Sequence, residues 1–351
     1  MENMQENDIL KTKIEIKYRV PKLAHRVLAN LIDIIVFAVL FVGTFLIGRA
    51  IITHTPAYKE AHANYENAAI NSGLYIKKDN GQLVDVVTYI TNDSSFSAKG
   101  KRVTSEKAIN DFYTYVKDYV DADTYNDLIK QKEEYFLSDS LRPKDDDIKD
   151  QTYFVKDGDE VVPNPNLVDY PGIDLKYYTD CYRPYIDKYA LRQFQSYSVD
   201  YKNNITKVAN MIIFIAIPIA YVLSAFLTWF VPPLFFKRGR KTLGKALYHI
   251  GLIQSDFYNL KFSKWIIRFL IFFFAEMVLS IATVGIPFII SASMMIFSKH
   301  KQGFPDYMLG IYEVDTSNNK IYYNEAELTL ENMDTHKEPI DFKLPDIDYQ
   351  S

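Results

Sequence analysis

Residues 23–52 read LAHRVLANLIDIIVFAVLFVGTFLIGRAII, and from Ile34 to Gly48 the stretch carries no charge. About 20 apolar residues at ~1.5 Å of rise each cover the ~30 Å hydrocarbon core of a bilayer, so this stretch predicts a transmembrane helix. Within it Arg26, Asn30 and Asp33 recur at helical spacing and share one face. A carboxylate below the bilayer surface costs about 2.5 kcal/mol or more unless it is paired or hydrated. Asp33 therefore demands a partner. Two roles fit it: a packing residue that hydrogen-bonds a neighbouring helix, or a group that helps move an ion or small solute.

Working outward, residues 1–22 form a short arm whose Lys and Arg residues crowd the start of the first helix. Positive residues collect on the cytoplasmic side, which puts this arm inside. The helix at 23–52 then acts as an uncleaved anchor, because its apolar run is too long for a signal h-region. A second apolar span occupies 208–236, with Pro218 as a kink and Trp229 assigned to the interfacial aromatic belt. Lys237, Arg238, Arg240 and Lys241 place the loop 237–264 inside. The region 265–298 would measure about 50 Å as one helix, too long for a single crossing. Thr283-Val284-Gly285-Ile286-Pro287 interrupts it. A hairpin of two spans, or one span and a shorter re-entrant helix, makes 299–351 a cytoplasmic tail. A long third span with an external C-terminus is the alternative. Buried charge also falls here: Arg268 sits one turn in, and Glu276 lies near the bilayer centre.

Residues 53–207 are polar and too long for a connecting loop, so they predict a folded extracytoplasmic insertion. Helical patterning covers 57–70, 105–120 and 124–136, and Asn80-Gly81 marks a tight hairpin turn. A second hairpin is expected around residues 153–162, and a long helix from Leu175 that could run on into the next span. The tyrosines concentrated here suit either a small core or a partner-binding face. The fold class is thus mainly α: a polytopic helical membrane domain of three to four spans with an α+β extracytoplasmic insertion. The tail from Ile311 alternates around Thr316–Asn319 as a short hairpin, and the acidic stretch from Glu331 is expected to be disordered.

Composition narrows the function. A net charge of −4 over 351 residues suggests no nucleic-acid surface. Cys181 is the only cysteine, so no disulfide can form within the chain. The acidic runs at Asp145–Asp147 and Asp157–Glu160 lack the ligand spacing of a calcium loop, and no His or Cys set has metal spacing. Neither a cofactor nor a metal is expected. No nucleophile with a base and no Walker pattern is present, so an enzyme is not expected.

Three pieces of the chain resemble the RDD family of membrane proteins, named for one arginine and two aspartates. Arg26 stands where the family's arginine opens the first helix, and Asp33 where its first aspartate lies. Thr242-Leu243-Gly244-Lys245 is similar to the signature after the second span. Gln302-Gly303-Phe304-Pro305-Asp306-Tyr307-Met308-Leu309-Gly310 resembles the closing motif, with Asp306 as the second aspartate. The chain departs from the pattern at Ile311, commonly threonine, and over Ala246-Leu247-Tyr248-His249. The resemblance covers 18–52 and about 208–315 and omits the insertion. It implies a membrane protein for which transport of unknown ligands has been suggested.

Two functions compete. One is a non-enzymatic membrane protein whose extracytoplasmic domain binds a protein or small-molecule ligand on a helical base. The other is a transporter using Asp33 and Glu276, which so few helices would need a homo-oligomer to enclose. The expected partners are the lipid bilayer, such a ligand, and a second copy, with no nucleic acid. The hairpin topology returns Asp306 to the boundary of Arg26, so these two are expected to meet. Asp33, about 10 Å deeper, is expected to face Arg268.

Overall fold

The structure is a computed structural model describing residues 18–335 except Asp159 and Lys299, with side chains described as far as Glu331. Among the described residues, three helices are long and apolar enough to cross a membrane: Leu23–Thr53, Val199–Phe235 and Phe262–Ala282. The chain divides into two compact units, one built from residues up to Arg49 and from Ala216 onward, the other from Ala50–Ile215.

In the first unit, α1 (Leu23–Thr53) buries only Arg26, Ala29 and Asp33. Its apolar side chains, such as Val39 and Ile47, stay exposed, as expected of a helix whose solvent is lipid. The long helix Val199–Phe235 presents Ala216, Ala220, Ser224, Ala225 and Thr228 inward. Small residues let helix backbones approach closely where lipid removes the hydrophobic drive. Thr44 and Ser224 join their hydroxyls across that contact at 2.9 Å, and Tyr221 donates to the Met277 carbonyl at 3.1 Å. Trp229, expected in the interfacial aromatic belt, makes its ring contacts between helices. It packs between Phe37 and Phe272, at 5.1 and 5.0 Å, because its ring fills the space between helices.

The helix Phe262–Ala282 ends at a turn in which Val284 and Gly285 have φ of 53° and 86°. A second helix, Ile286–Phe297, has 12 residues, about 18 Å, too short to cross. Phe288 meets Phe272 at 6.3 Å, so the short limb folds back beside the long one. This is the arrangement of one span with a shorter helix. The helix Phe304–Leu309 follows, closed by Gly310 at φ 60°, and leads into a strand, Ile311–Asp315. That strand does not form a local hairpin. It pairs antiparallel with Ile250–Gln254, Leu252 facing Glu313, because a strand of its own length with a fully buried face is available upstream. Tyr18, Ile253, Val314, Ile321, Tyr322 and Leu328 pack together over it. The final helix, Glu325–Thr335, includes the start of the stretch expected to be disordered; its remainder lies outside the described residues, as do residues 1–17 of the arm.

The second unit is α+β. Helices Pro56–Asn71, Ala98–Val116 and Ala122–Phe136 each start on a side-chain cap, from Thr55, Ser97 and Asp121. Both expected hairpins form: β1 (Tyr75–Lys77) with β2 (Leu83–Asp85), and β3 (Phe154–Asp157) with β4 (Glu160–Pro163). The helical stretch from Ile173 stops at Ser198, which caps the next helix, so it does not run on unbroken into the span. Phe112, Tyr153, Tyr177, Tyr185 and Phe194 build the core, and Tyr177 donates its hydroxyl to the Tyr153 carbonyl at 2.8 Å. Many of the tyrosines are therefore packing residues with bonded tips. Cys181 lies fully inside this core, and burial pushes its thiol up.

Candidate functional site: a charged cavity in the membrane unit

A cavity of about 360 Å³ opens among the helices of the first unit. Arg26, Lys245, Arg268, Glu276, Asp306 and Glu313 all line it. Glu313 is the hub. Its carboxylate takes the Arg26 Nε–H on one side and the Lys245 ammonium, at 2.6 Å, on the other. Arg26 also donates to the Lys301 carbonyl, which ties the start of α1 to the chain leaving the short helix. Burial opposes the charge of Glu313, but the Lys245 ammonium and Arg26 guanidinium outweigh it and hold its carboxyl down at about 2.

Arg268 makes a two-pronged contact with Asp306, at 2.5 and 3.0 Å. The expected pairings are thus exchanged. Arg26 meets Glu313 rather than Asp306, and Arg268 meets Asp306 rather than Asp33. Asp33 instead accepts the Thr242 hydroxyl at 2.5 Å and the Gly244 N–H at 2.8 Å. The reason is backbone proximity: the loop carrying Thr242-Leu243-Gly244-Lys245 lies on α1 itself. A Cβ on Gly244 would stand 2.0 Å from the Ala29 carbonyl oxygen, a contact only glycine avoids. An amide donor leaves no mark on a list of charged residues. Asp33 is satisfied by uncharged donors, and its role is to fasten that loop. Gly244→Ala is accordingly expected to cost about 3 kcal/mol, the upper end of the usual range for overpacking, since the atom it meets is backbone with no side chain to move. Its yield of folded protein in detergent, judged by gel filtration, should collapse.

The remaining residues fall into two groups. Asn30 reaches only the Met295 sulfur, at 3.5 Å, and lines the cavity beside Arg26. Leu243 is partly exposed and does not line the cavity. Glu276 is different from every other acid here. It is 4 % exposed, sits in a widened turn of the helix over Phe272–Val278, and its Oε1 has no hydrogen-bond partner. Local widening of a helix redirects side chains and recurs at functional positions. Sequence reasoning missed Glu313 altogether. The strand alternation of Ile311–Asp315 was visible, but Leu252, the strand partner opposite Glu313, lies 61 residues away in sequence.

Residues 191–310 match the model of the RDD family. That segment holds the Thr242–Lys245 loop, Arg268, Glu276 and Asp306, and it stops short of Glu313; Arg26 and Asp33 precede it. No curated protein and no solved structure matches the chain. The matched segment and the three apolar helices together mark a membrane protein.

Proposed function

We propose that the protein is a non-enzymatic membrane protein that binds a small monovalent cation in this cavity and passes it across the bilayer. The observation that carries the reading is the unpartnered, buried oxygen of Glu276 at the cavity wall. Charge supports it. Around the cavity Arg26, Lys245 and Arg268 balance Glu276, Asp306 and Glu313, and the neighbouring Asp33, held by Thr242 and Gly244 rather than by a cation, adds one negative charge beyond that balance. A buried charge imbalance of this kind is costly until a cation or proton fills it. The volume exceeds that of a bare ion and falls within the range of small-ligand sites, so the cation would keep part of its water. Ion pairs occupy Asp306 and Glu313, and Thr242 with Gly244 occupies Asp33, which leaves Glu276 as the exchangeable one.

Ligand that binds only the folded state raises its melting temperature. Detergent-purified protein melted in sodium, potassium, lithium or choline chloride of equal ionic strength should gain stability with one cation in a saturable way. Glu276→Gln should abolish that gain. Equal melting in all four salts, or an undiminished gain in the variant, would overturn the reading.

The orientation completes the proposal: the arm, the 237–264 loop and the tail inside, and residues 53–207 outside. Arg26 bonds the Lys301 carbonyl and Glu313, which supports one side for the arm and the tail. A cysteine at Asn80, introduced with Cys181 replaced by serine, should react with an impermeant thiol reagent on intact cells. One at Asn318 should react only after lysis. Labelling at Asn318 on intact cells would contradict this orientation.

A further inference from the structure

The second unit holds a cavity of its own, about 470 Å³, between helices Ala98–Val116 and Ala122–Phe136 and the β3–β4 hairpin. Four consecutive residues of β4, Glu160 to Pro163, line it, whereas β3 contributes only Phe154. Successive side chains of a strand point to opposite faces. All four can border one cavity only if the strand's edge, not a face, is turned toward it.

That edge is unpaired, since β3 and β4 form a two-stranded sheet among the described residues. The register says which groups are free. Asn164 donates its backbone N–H to the Tyr153 carbonyl at 2.9 Å, so that pair is a hydrogen-bonded one. Antiparallel pairs alternate, which makes Phe154 with Pro163 a non-bonded pair, Val155 with Val162 bonded, and Lys156 with Val161 non-bonded. Proline, lacking an N–H, fits the first of these. The N–H and C=O of Val161 therefore point outward, into the cavity.

The rim has a definite charge. Glu106, Glu133 and Glu160 line it against one lysine, Lys132. Arg102 and Lys156 reach the first two only at 3.6 and 3.5 Å, and Glu160 has no ion pair among the described residues. Lys132 lies over the Tyr113 ring at 5.0 Å, and burial lowers its pKa from the usual lysine range. The floor is apolar and aromatic, with Phe136, Phe154 and Tyr182. An unpaired strand edge, an acidic rim and an aromatic floor together describe a receptor for a strand that brings positive charge and apolar side chains.

We propose that this cavity binds a short, extended, basic peptide segment, which adds to β4 through the backbone of Val161 and sets its cationic groups against Glu106, Glu133 and Glu160. The interaction gains backbone hydrogen bonds from the edge and selectivity from the rim, as in other additions of a strand to an open sheet. It is independent of the cation site.

Full-length protein in detergent is titrated with a fluorescein-labelled short peptide alternating valine and lysine, followed by anisotropy. The expected result is saturable binding, loss of binding when lysine is replaced by glutamate, and weaker binding when the peptide backbone is N-methylated. Val161→Pro removes an N–H that the hairpin does not use, and should weaken binding about two- to tenfold, the worth of one hydrogen bond. Glu160→Lys should weaken it further. Glu276→Gln should leave it unchanged, which separates this site from the other. Should Val161→Pro fail to fold, the N-methylated peptide and Glu160→Lys still decide. Absent binding, equal binding of the N-methylated or the glutamate peptide, or indifference to Glu160→Lys would overturn the proposal.

Discussion

Glu313→Gln is expected to destabilise the protein by about 3–5 kcal/mol, the cost of stranding buried charge when one partner of a pair is removed. Glu313 holds both Arg26 and Lys245, so its loss leaves two uncompensated cations rather than one. Lys245→Met should cost less, because the Arg26 pair survives it. Thermal melting of the purified variants gives the order directly. The effect has a pH signature. The folded-state pKa of Glu313, about 2, lies below the ~4.3 of an unfolded glutamate. Its contribution is therefore complete above about pH 4.3 and is lost as pH falls through the folded value near 2. Wild-type melting should fall over that interval more steeply than that of Glu313→Gln. Parallel curves would mean that Glu313 is not the charged hub.

Glu276→Met is expected to act in the opposite direction. An unsatisfied buried polar group costs about 1–3 kcal/mol, so replacing Glu276 by an apolar side chain of similar size should leave stability unchanged or raise it by up to that amount. Two buried glutamates lining one cavity thus respond with opposite signs, because one is fully paired and the other has an oxygen with nothing to bond. Residues retained at a cost in stability are the ones to associate with function. A clear loss of stability in Glu276→Met, measured in cation-free buffer, would mean that the residue is structural.

Much of the fold was legible because bilayer thickness fixes helix length. The first span appeared from residues 23–52, and the break at Thr283–Gly285 announced itself through its glycine and the excess length around it. Helical patterning and turn residues likewise disclosed Pro56–Asn71, Ala122–Phe136 and both hairpins in the second unit. What stayed hidden was non-local. The strand Ile250–Gln254 reads as a short apolar run that no periodicity can assign, and with it went the pairing that positions Glu313. The site residues were found because charge inside a membrane is conspicuous, yet their partners were not. Pairing by depth alone joined Arg26 to Asp306 and Asp33 to Arg268. It could not register that a backbone amide, exposed by a glycine at position 244, would take the carboxylate of Asp33. The widened turn that aims Glu276 is equally silent in sequence.

The division of labour between the two acids is most directly tested in proteoliposomes, by measuring uptake of the stabilising cation per folded protein for Asp33→Asn and Glu276→Gln beside the wild type. Asp33→Asn should lower the amount of folded protein while each remaining molecule transports at nearly the wild-type rate; Glu276→Gln should reconstitute normally and lose uptake at least about tenfold, equivalent to ~1.4 kcal/mol. Undiminished uptake in a well-folded Glu276→Gln, or uptake abolished in Asp33→Asn with Glu276 intact, would contradict the assignment of the exchangeable carboxylate to Glu276.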